Sequence, residues 1–164
     1  MERVAMMRTK QHHYTVRTVW SGATAGATRD YPSFSREHAI EVEGKALLKA
    51  SADPSFRGDA ELHNPEDMLV AALSSCHLLS YLALCGLKGV EVVAYEDAAI
   101  GVMEEEGWSG RFTEVTLRPA VTIAKGSDVG LAMALHEEAH GVCFIANSVN
   151  FPVRHEPVIT VAAD

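Results

Sequence analysis

The chain has 164 residues, of which 48% are hydrophobic, and its formal net charge is −8 at pH 7. This composition predicts a folded domain with a sizeable core rather than a disordered chain. The acidic balance argues against a nucleic-acid or anionic-membrane partner, because there is no surplus of cations to neutralise phosphates. No continuous apolar signal segment or uninterrupted membrane span is recognisable, so we expect a cytoplasmic protein.

The N-terminal third of the chain predicts strands joined by polar loops. Residues 14–20 alternate between apolar and polar side chains, which is typical of a strand, and residues 21–35 form a long turn. Residues 38–51 predict a hairpin that turns at Gly44. Residues 52–64 follow as a polar loop rich in residues that interrupt regular structure.

A helix that is apolar almost all round follows this loop. Pro65 suits the first helical position with Asn64 as the cap, and we expect the helix to run to about Cys85, where Gly86 and Gly89 end it. A helix without a polar face needs cover on more than one side in a small domain. This pattern favours a homodimer with two copies of the helix at its centre.

The C-terminal half predicts an antiparallel sheet and a second helix. Two long strands cover residues 89–106 and 110–124, with a glycine-containing turn between them. The second helix covers residues 127–149, and a final strand covers residues 151–163. Two helices and about six strands, segregated along the chain, predict an α+β fold with an antiparallel sheet, in one domain over residues 1–164.

Three cysteines in a reducing compartment are candidates for reactive or buried thiols rather than for a disulfide framework. Cys76 and Cys85 face opposite sides of one helix, roughly 13 Å apart along its axis, which is too far for a disulfide. We therefore predict that Cys85 is a core residue, and that Cys76 and Cys143 are the pair that can meet as a redox dithiol. Cys76 as a small buried hydrophobe is the alternative. His77 points about 100° away from Cys76, so we expect a structural role for it.

A thiolate in an apolar site needs a cation nearby, since burial by itself raises the thiol pKa. The candidates are Arg29, Arg36 and Arg57, which all lie in loops before the first helix. A carboxylate would orient the guanidinium, and Glu66 is the candidate. Because Glu66 lies roughly 15 Å from Cys76 along one helix, it would have to act on the thiol of a second copy. Otherwise it is an N-terminal acid that the helix dipole favours.

The stretch HEEAH matches the H-E-x-x-H pattern of zinc proteases. His136 and His140 would share a helical face, with Glu137 as the base. The third ligand would have to be His155 or Glu156, which have no helix to carry them. A zinc hydrolase and a non-catalytic binder of an apolar small molecule are therefore the alternatives to the redox reading.

Two motifs resemble those of one family. The run NPEDMLVAALSSC, residues 64–76, resembles the motif of the OsmC/Ohr family, the osmotically induced and organic-hydroperoxide-resistance proteins, in which Asn-Pro-Glu precedes the peroxidatic cysteine by the same step. The run AHGVCFIANSV, residues 139–149, resembles the second motif of that family, in which a cysteine follows an Ala-His pair. YPSFSREH and SADPSFRGD are most similar to the OsmC-like branch.

The resemblance implies an OsmC-like intertwined homodimer with two active sites at its interface, and thiol-dependent reduction of organic hydroperoxides. It makes Cys76 the peroxidatic thiol and Cys143 the resolving thiol, and Glu66 holds the arginine that stabilises the thiolate. Arg36 is the first choice for that arginine because it fits the SREH segment of this branch, and Arg29 is the second because it fits the distance along the chain. The double glycine that precedes the family's arginine is absent here. An external dithiol would reduce the disulfide, and neither a metal nor an organic cofactor is implied.

Overall fold

The structure is a computed structural model, and it describes residues 9–163. The chain divides after Pro65 into two compact units. In the described part, the N-terminal unit contains three strands, and the C-terminal unit contains six strands and two helices. The single domain over residues 1–164 stays a prediction.

The N-terminal unit is built on three antiparallel strands. Their bounds are β1 Arg17–Trp20, β2 His38–Glu41 and β3 Leu48–Ala50, paired in the order β1-β2-β3. β1 is shorter than the strand predicted over residues 14–20. The hairpin predicted over residues 38–51 is confirmed by β2 and β3, and Gly44 adopts the positive φ of 75° in the turn, which a residue without Cβ adopts at little cost.

The C-terminal unit holds two helices and two three-stranded sheets among the described residues. The elements from Pro65 onward are α1 Pro65–Lys88, β4 Val92–Asp97, β5 Ile100–Glu106, β6 Ser109–Leu117, β7 Pro119–Ile123, α2 Val129–Val142, β8 Val153–His155 and β9 Val158–Val161. The sheet orders are β4-β7-β9 and β5-β6-β8. Each of the three long strands predicted here is therefore two shorter strands.

The prediction of a wholly antiparallel sheet is wrong for the last two strands. β4 pairs with β7 and β5 with β6 in antiparallel fashion, but β8 runs parallel to β6 and β9 runs parallel to β7. Parallel neighbours need a long crossover, commonly a helix, and α2 provides it between β7 and β9. The fold is thus α+β with antiparallel and mixed sheets.

Both ends of α1 depend on local chemistry. The helix begins at Pro65 as predicted, but it continues through Gly86 to Lys88, so the prediction that Gly86 ends it is wrong. Gly89 has φ of 78°, and the Val90 N–H donates to the Cys85 carbonyl over 2.9 Å. This is the Schellman arrangement, in which a left-handed glycine closes the last turn.

The second helix ends earlier than predicted. Asp128 caps α2 by accepting a hydrogen bond from the Leu131 N–H over 2.9 Å, which agrees with the predicted start. The last helical residue is Val142, not residue 149, because Cys143 leaves the helix with extended dihedral angles of φ −70° and ψ 111°. The Cys143 side chain is therefore carried by a helix terminus.

Two core clusters lie along α1. Near the start of the helix, Leu73 packs with residues of β6, and near its end Tyr81 and Cys85 pack with residues of β7 and α2. The residues predicted to share one face of the sheet are all buried: Val115, Leu117, Val121 and Ile123. His77 lies between the two clusters, one helical turn from Leu73 and from Tyr81.

α1 is long and apolar enough to cross a membrane by length and composition. The core helix of a soluble protein passes the same test, and α1 carries a buried stripe that supplies both cores. Only 22% of the most apolar 18-residue stretch of α1 is buried, however, and Leu79 and Leu87 are 66% and 81% exposed. Much of the apolar surface of this helix is therefore open in the single chain.

Candidate active site

Cys76 and Cys143 lie close together in the C-terminal unit, since Cys76 shares a groove with Phe144 and Ile145, the two residues that follow Cys143. Cys76 is half-buried in the middle of α1, and Cys143 is buried at the end of α2. Burial, with a further contribution from the neighbouring Cys76, raises the pKa of the Cys143 thiol to about 11. Both thiols are free, and so is Cys85, which is buried in the core as the helix geometry predicts.

The end of α2 fixes the Cys143 side chain. The Cys143 N–H donates to the His140 carbonyl over 3.3 Å, and the Asn147 N–H donates to the Cys143 carbonyl over 3.0 Å. The Ala146 N–H also donates to the Cys143 sulfur over 3.5 Å. The short helical turn after α2 thus holds the Cys143 side chain in place.

An open apolar groove leads to Cys76. Its volume is about 530 Å³, and its lining is Ala72, Ser75, Cys76, Leu79, Ser80, Ala83, Phe144 and Ile145. Leu79 and Phe144 are the large exposed side chains of this groove, at 66% and 78% exposure. A molecule with an apolar tail could bury surface here while its reactive end meets the thiol.

Glu66 is in the first turn of α1, where the sequence predicts it. Its Oε2 atom is buried and has no hydrogen-bond partner among the described residues. A buried carboxylate oxygen in this state is normally satisfied by a donor. Glu66 is therefore ready to accept a hydrogen bond from a group that the described contacts do not supply.

The predicted arginines belong to the N-terminal unit. Arg36 donates to the Phe34 carbonyl and, over 2.5 Å, to the Tyr31 carbonyl, and its guanidinium lies 3.8 Å from the centroid of the Phe34 ring. The Arg36 guanidinium is therefore held by residues of its own loop. Arg29 is exposed, and its backbone N–H donates to the Ala27 carbonyl over 2.9 Å. The role of either arginine toward a thiolate stays a prediction.

Four histidines form a cluster that the sequence analysis did not foresee. His77 Nε2 and His136 Nδ1 are 3.0 Å apart, and both residues are 1% exposed. The His155 ring centroid lies 5.6 Å from that of His77 and 5.5 Å from that of His140. The sequence places His136 and His140 four residues apart and offers His155 as a candidate to join them, but it gives no signal for His77, which joins the cluster through the packing of the two helices.

Burial keeps the inner histidines neutral. Desolvation, with a smaller contribution from His155, lowers the pKa of His77 to about 4, and desolvation and His77 lower the pKa of His136 to about 3. Desolvation also lowers the pKa of His155, opposed by Glu137, whose Oε2 lies 3.4 Å from His155 Nε2. Asp97 opposes the shift of His77 in the same way.

The structure does not support the zinc-hydrolase alternative. Between residues 9 and 163, no group of three or more His, Cys, Asp or Glu side chains is arranged to hold a metal ion. His136 is turned into the core and bonded to His77, whereas Glu137 is exposed and faces His155. The HEEAH pattern therefore contributes one buried and one half-buried histidine to a ring cluster, not a ligand set.

Comparison with known proteins identifies the family. The family model for OsmC-like proteins matches residues 58–157. An uncharacterised protein of Bacillus subtilis, YmaD, is 22% identical over 142 residues, which cover 84% of this chain and 87% of that protein. An OsmC-like protein of unknown function from Vibrio cholerae is 31% identical, with a TM-score of 0.82, over 90% of this chain and 100% of the other.

More distant solved structures share the fold. An organic hydroperoxide resistance protein from Elizabethkingia anophelis has 17% identity and a TM-score of 0.65, over 93% of this chain and 100% of the other. One from Legionella pneumophila has 16% identity and a TM-score of 0.64 over the same shares. The family match covers more than half of the 164 residues and includes both cysteine motifs. The chain belongs to the OsmC-like family, within the OsmC/Ohr group of proteins.

Proposed function

We propose that the protein is a thiol-dependent peroxidase that reduces organic hydroperoxides to alcohols. The observation that carries this proposal is the free Cys76 thiol, half-buried in the apolar groove and close to the buried Cys143. The fold is shared with organic hydroperoxide resistance proteins from two bacteria, which supports the same activity here.

The proposed reaction has three steps. The Cys76 thiolate attacks the peroxide O–O bond, the alkoxide leaves and takes up a proton as the alcohol, and the sulfur becomes a sulfenic acid. The Cys143 sulfur then attacks the sulfenic sulfur, and the S–O bond breaks with release of water as the disulfide forms. An external dithiol returns both cysteines to thiols by exchange and is itself oxidised to a disulfide. The cycle needs no metal or organic cofactor.

Glu66 has a supporting role in this proposal. Its buried oxygen, which has no hydrogen-bond partner between residues 9 and 163, fits a carboxylate that orients an arginine, and a guanidinium would satisfy it bidentately. Arg36 and Arg29 are the candidates for that arginine. Held in this way, the guanidinium would stabilise the Cys76 thiolate and the developing alkoxide.

The groove and the exposed apolar face of α1 extend the proposal. An apolar hydroperoxide gains free energy by burying its tail against Leu79 and Phe144, which hydrogen peroxide cannot do. The exposed apolar residues of α1 favour a homodimer that covers them. We further propose that the protein works in the cytoplasm, where dithiol reductants are present.

The test is a reaction with one equivalent of cumene hydroperoxide, followed by mass spectrometry of the intact and digested protein. We expect loss of the peroxide and a Cys76–Cys143 disulfide. Cys76→Ser should lose both, Cys143→Ser should stop at a sulfenic acid that dimedone traps, and the control Cys85→Ala should behave like the wild type. Persistence of the hydroperoxide with wild-type protein would refute the proposal.

The groove also suits a second candidate function, the binding of an apolar small molecule without catalysis. Its volume of about 530 Å³ and its exposed Leu79 and Phe144 favour such a ligand. The role of the Cys76 thiol distinguishes the two functions. A protein that only binds would leave the hydroperoxide intact, and its Cys76→Ser variant would bind an apolar dye with unchanged affinity.

A further inference from the structure

The two helices that carry the cysteines are joined by a set of buried side chains, which we call the helix clasp: His77 and Tyr81 of α1 with Ala132 and His136 of α2. His77 Nε2 and His136 Nδ1 are 3.0 Å apart, and the Tyr81 hydroxyl donates to the Ala132 carbonyl over 3.0 Å. On each helix the two residues are four apart, which is one turn of the same face. The clasp therefore fixes both the rotation and the translation of one helix relative to the other.

The rings of the clasp interlock in two different ways. His77 and His136 have planes within 11° and centroids 5.3 Å apart, so with a 3.0 Å nitrogen separation they meet edge to edge. Tyr81 lies face to face on His136, with centroids 3.8 Å apart and planes also within 11°. His136 is thus held at its edge by one residue of α1 and on its face by another.

Both cysteines are rigidly connected to the clasp. Cys76 is the neighbour of His77 on α1, so the helix cannot rotate away from His136 without moving the thiol. Cys143 follows His136 by seven residues, close to two full turns, and it terminates the same helix. A shift of either helix by about 1 Å is enough to slow a reaction between groups that must touch.

A purely structural core would not need histidines here. The pair leaves His77 Nδ1 and His136 Nε2 buried without a hydrogen-bond partner among the described residues. Apolar residues of similar volume would avoid that desolvation cost. A directional bond between two buried polar groups, in contrast, selects one register between elements that apolar packing would leave less defined.

The clasp is surrounded by other polar groups that do not join the two helices. His155 and His140 lie beside it, Glu137 faces His155, and Asp97 of β4 accepts a hydrogen bond from Ser74 of α1. The Asp97–Ser74 contact ties α1 to the sheet instead of to α2. The exposed Lys88–Glu138 ion pair, over 4.0 Å, also joins the two helices, but the His77–His136 contact is a buried side-chain link between them.

We propose that His77 and His136 are positioning residues for the dithiol chemistry, because their hydrogen bond sets the register in which Cys76 meets Cys143. The inference rests on the proposed peroxidase function for its biological meaning, but the geometry can be tested without peroxide. The oxidant diamide takes two electrons and two protons from a pair of adjacent thiols, becomes a hydrazine and leaves a disulfide, so its rate reports the approach of the two sulfurs.

The experiment compares two reactions in His77→Leu and His136→Leu, which replace imidazole by an apolar side chain of similar size. We expect the consumption of one equivalent of cumene hydroperoxide, which reports the formation of the Cys76 sulfenic acid, to stay near the wild-type rate. Formation of the Cys76–Cys143 disulfide, by peroxide or by diamide, should slow about tenfold or more. The matched control is His140→Leu, which changes a histidine of the same cluster outside the clasp.

Glutamine variants provide the second arm. His77→Gln and His136→Gln keep a group that can donate and accept a hydrogen bond, so the diamide rate should return to within about threefold of the wild type. Folded leucine variants with a wild-type diamide rate would overturn the proposal, and so would folded glutamine variants that are as slow as expected for leucine. If the leucine variants do not fold, the glutamine variants alone decide in the same way. A wild-type protein that forms the disulfide with diamide but does not react with hydroperoxide refutes the peroxidase function and leaves the positioning test intact.

Discussion

At the residue scale, Glu66 and Asp67 form a natural comparison within the first turn of α1. Both are acids that the helix dipole favours, but Glu66 has a buried oxygen without a described partner, whereas Asp67 is exposed. If Glu66 acts only on the helix, the two should be equivalent. If it orients an arginine for the thiolate, they should differ.

We therefore predict that Glu66→Gln lowers the rate of sulfenic acid formation about tenfold or more, by analogy with the loss of one charge-stabilising group. Asp67→Asn should leave that rate unchanged, although both substitutions should change the unfolding free energy by a similar amount, about 0.3–1 kcal/mol. Stopped-flow consumption of cumene hydroperoxide and urea denaturation measure the two effects. Equal rates in the two variants would remove Glu66 from the site, and Arg36→Ala and Arg29→Ala would identify the arginine.

The buried histidines predict a pH dependence of stability. The pKa of His77 is lowered to about 4 and that of His136 to about 3, both from an ordinary value of 6.5, so the unfolded chain binds more protons than the folded one at intermediate pH. Stability is then fully present above about pH 6.5 and falls as the pH drops toward 4. Each histidine contributes a slope of up to about 1.4 kcal/mol per pH unit.

Urea denaturation between pH 4.5 and 7.5 measures this slope. We expect the unfolding free energy to decrease on acidification, and to decrease less steeply in His77→Leu than in the wild type. An identical slope in both proteins would contradict the assignment of the pH dependence to this histidine.

At the element scale, the end of α1 separates two glycines with opposite requirements. Gly86 is inside the helix, and Gly89 has the left-handed φ of 78° that closes it. A Cβ added at either position meets nothing within 4 Å, so backbone conformation alone decides the effect. Alanine is favoured in a helix interior and disfavoured at positive φ.

Gly86→Ala should therefore raise the unfolding free energy by about 0.5–1 kcal/mol, and Gly89→Ala should lower it by about 1 kcal/mol. Thermal unfolding followed by circular dichroism at neutral pH checks both. A destabilised Gly86→Ala would mean that the exposed surface at this turn is occupied, as it would be at a dimer interface.

At the scale of the whole molecule, the exposed apolar side chains are the feature that the single chain leaves unexplained. On α1, Leu79, Leu82 and Leu87 are 66%, 38% and 81% exposed, and Phe144 beside the groove is 78% exposed. Large apolar side chains exposed in this number are typical of an interface. A second copy of the chain is the partner that the all-round apolar sequence of α1 favours.

We predict a homodimer of about 35 kDa in solution, twice the 17.7 kDa of the chain. Leu87→Glu, which adds a charge to the exposed part of α1 about three turns beyond Cys76 along the helix axis, should shift the mass toward that of the single chain. Val93→Glu on β4, where the valine is 57% exposed, is the matched control and should leave the mass unchanged. Light scattering coupled to size-exclusion chromatography measures both, and a wild-type monomer would contradict the prediction.

The sequence by itself determined the features that depend on neighbours along the chain. Pro65 starts a helix because its fixed φ fits the first turn, Asp128 caps the second helix, and Gly44 and Gly89 mark positive φ values. The alternation from Val115 to Ile123 identified the buried face of β6 and β7. Each of these signals depends on residues that are close along the chain, so it can be recognised in the sequence before the tertiary structure is known.

Only the tertiary structure decided which distant residues meet. Periodicity does not tell which strand lies beside which. The sequence therefore did not predict that β8 pairs in parallel with β6, or that β9 pairs in parallel with β7. The cluster of His77, His136, His140 and His155 likewise exists because two helices and a strand converge. Helix geometry left Cys143 as the candidate partner of Cys76, but their contact depends on where α2 ends and how it packs. Contacts between remote segments are set by the burial of the whole core, which no short stretch of sequence specifies.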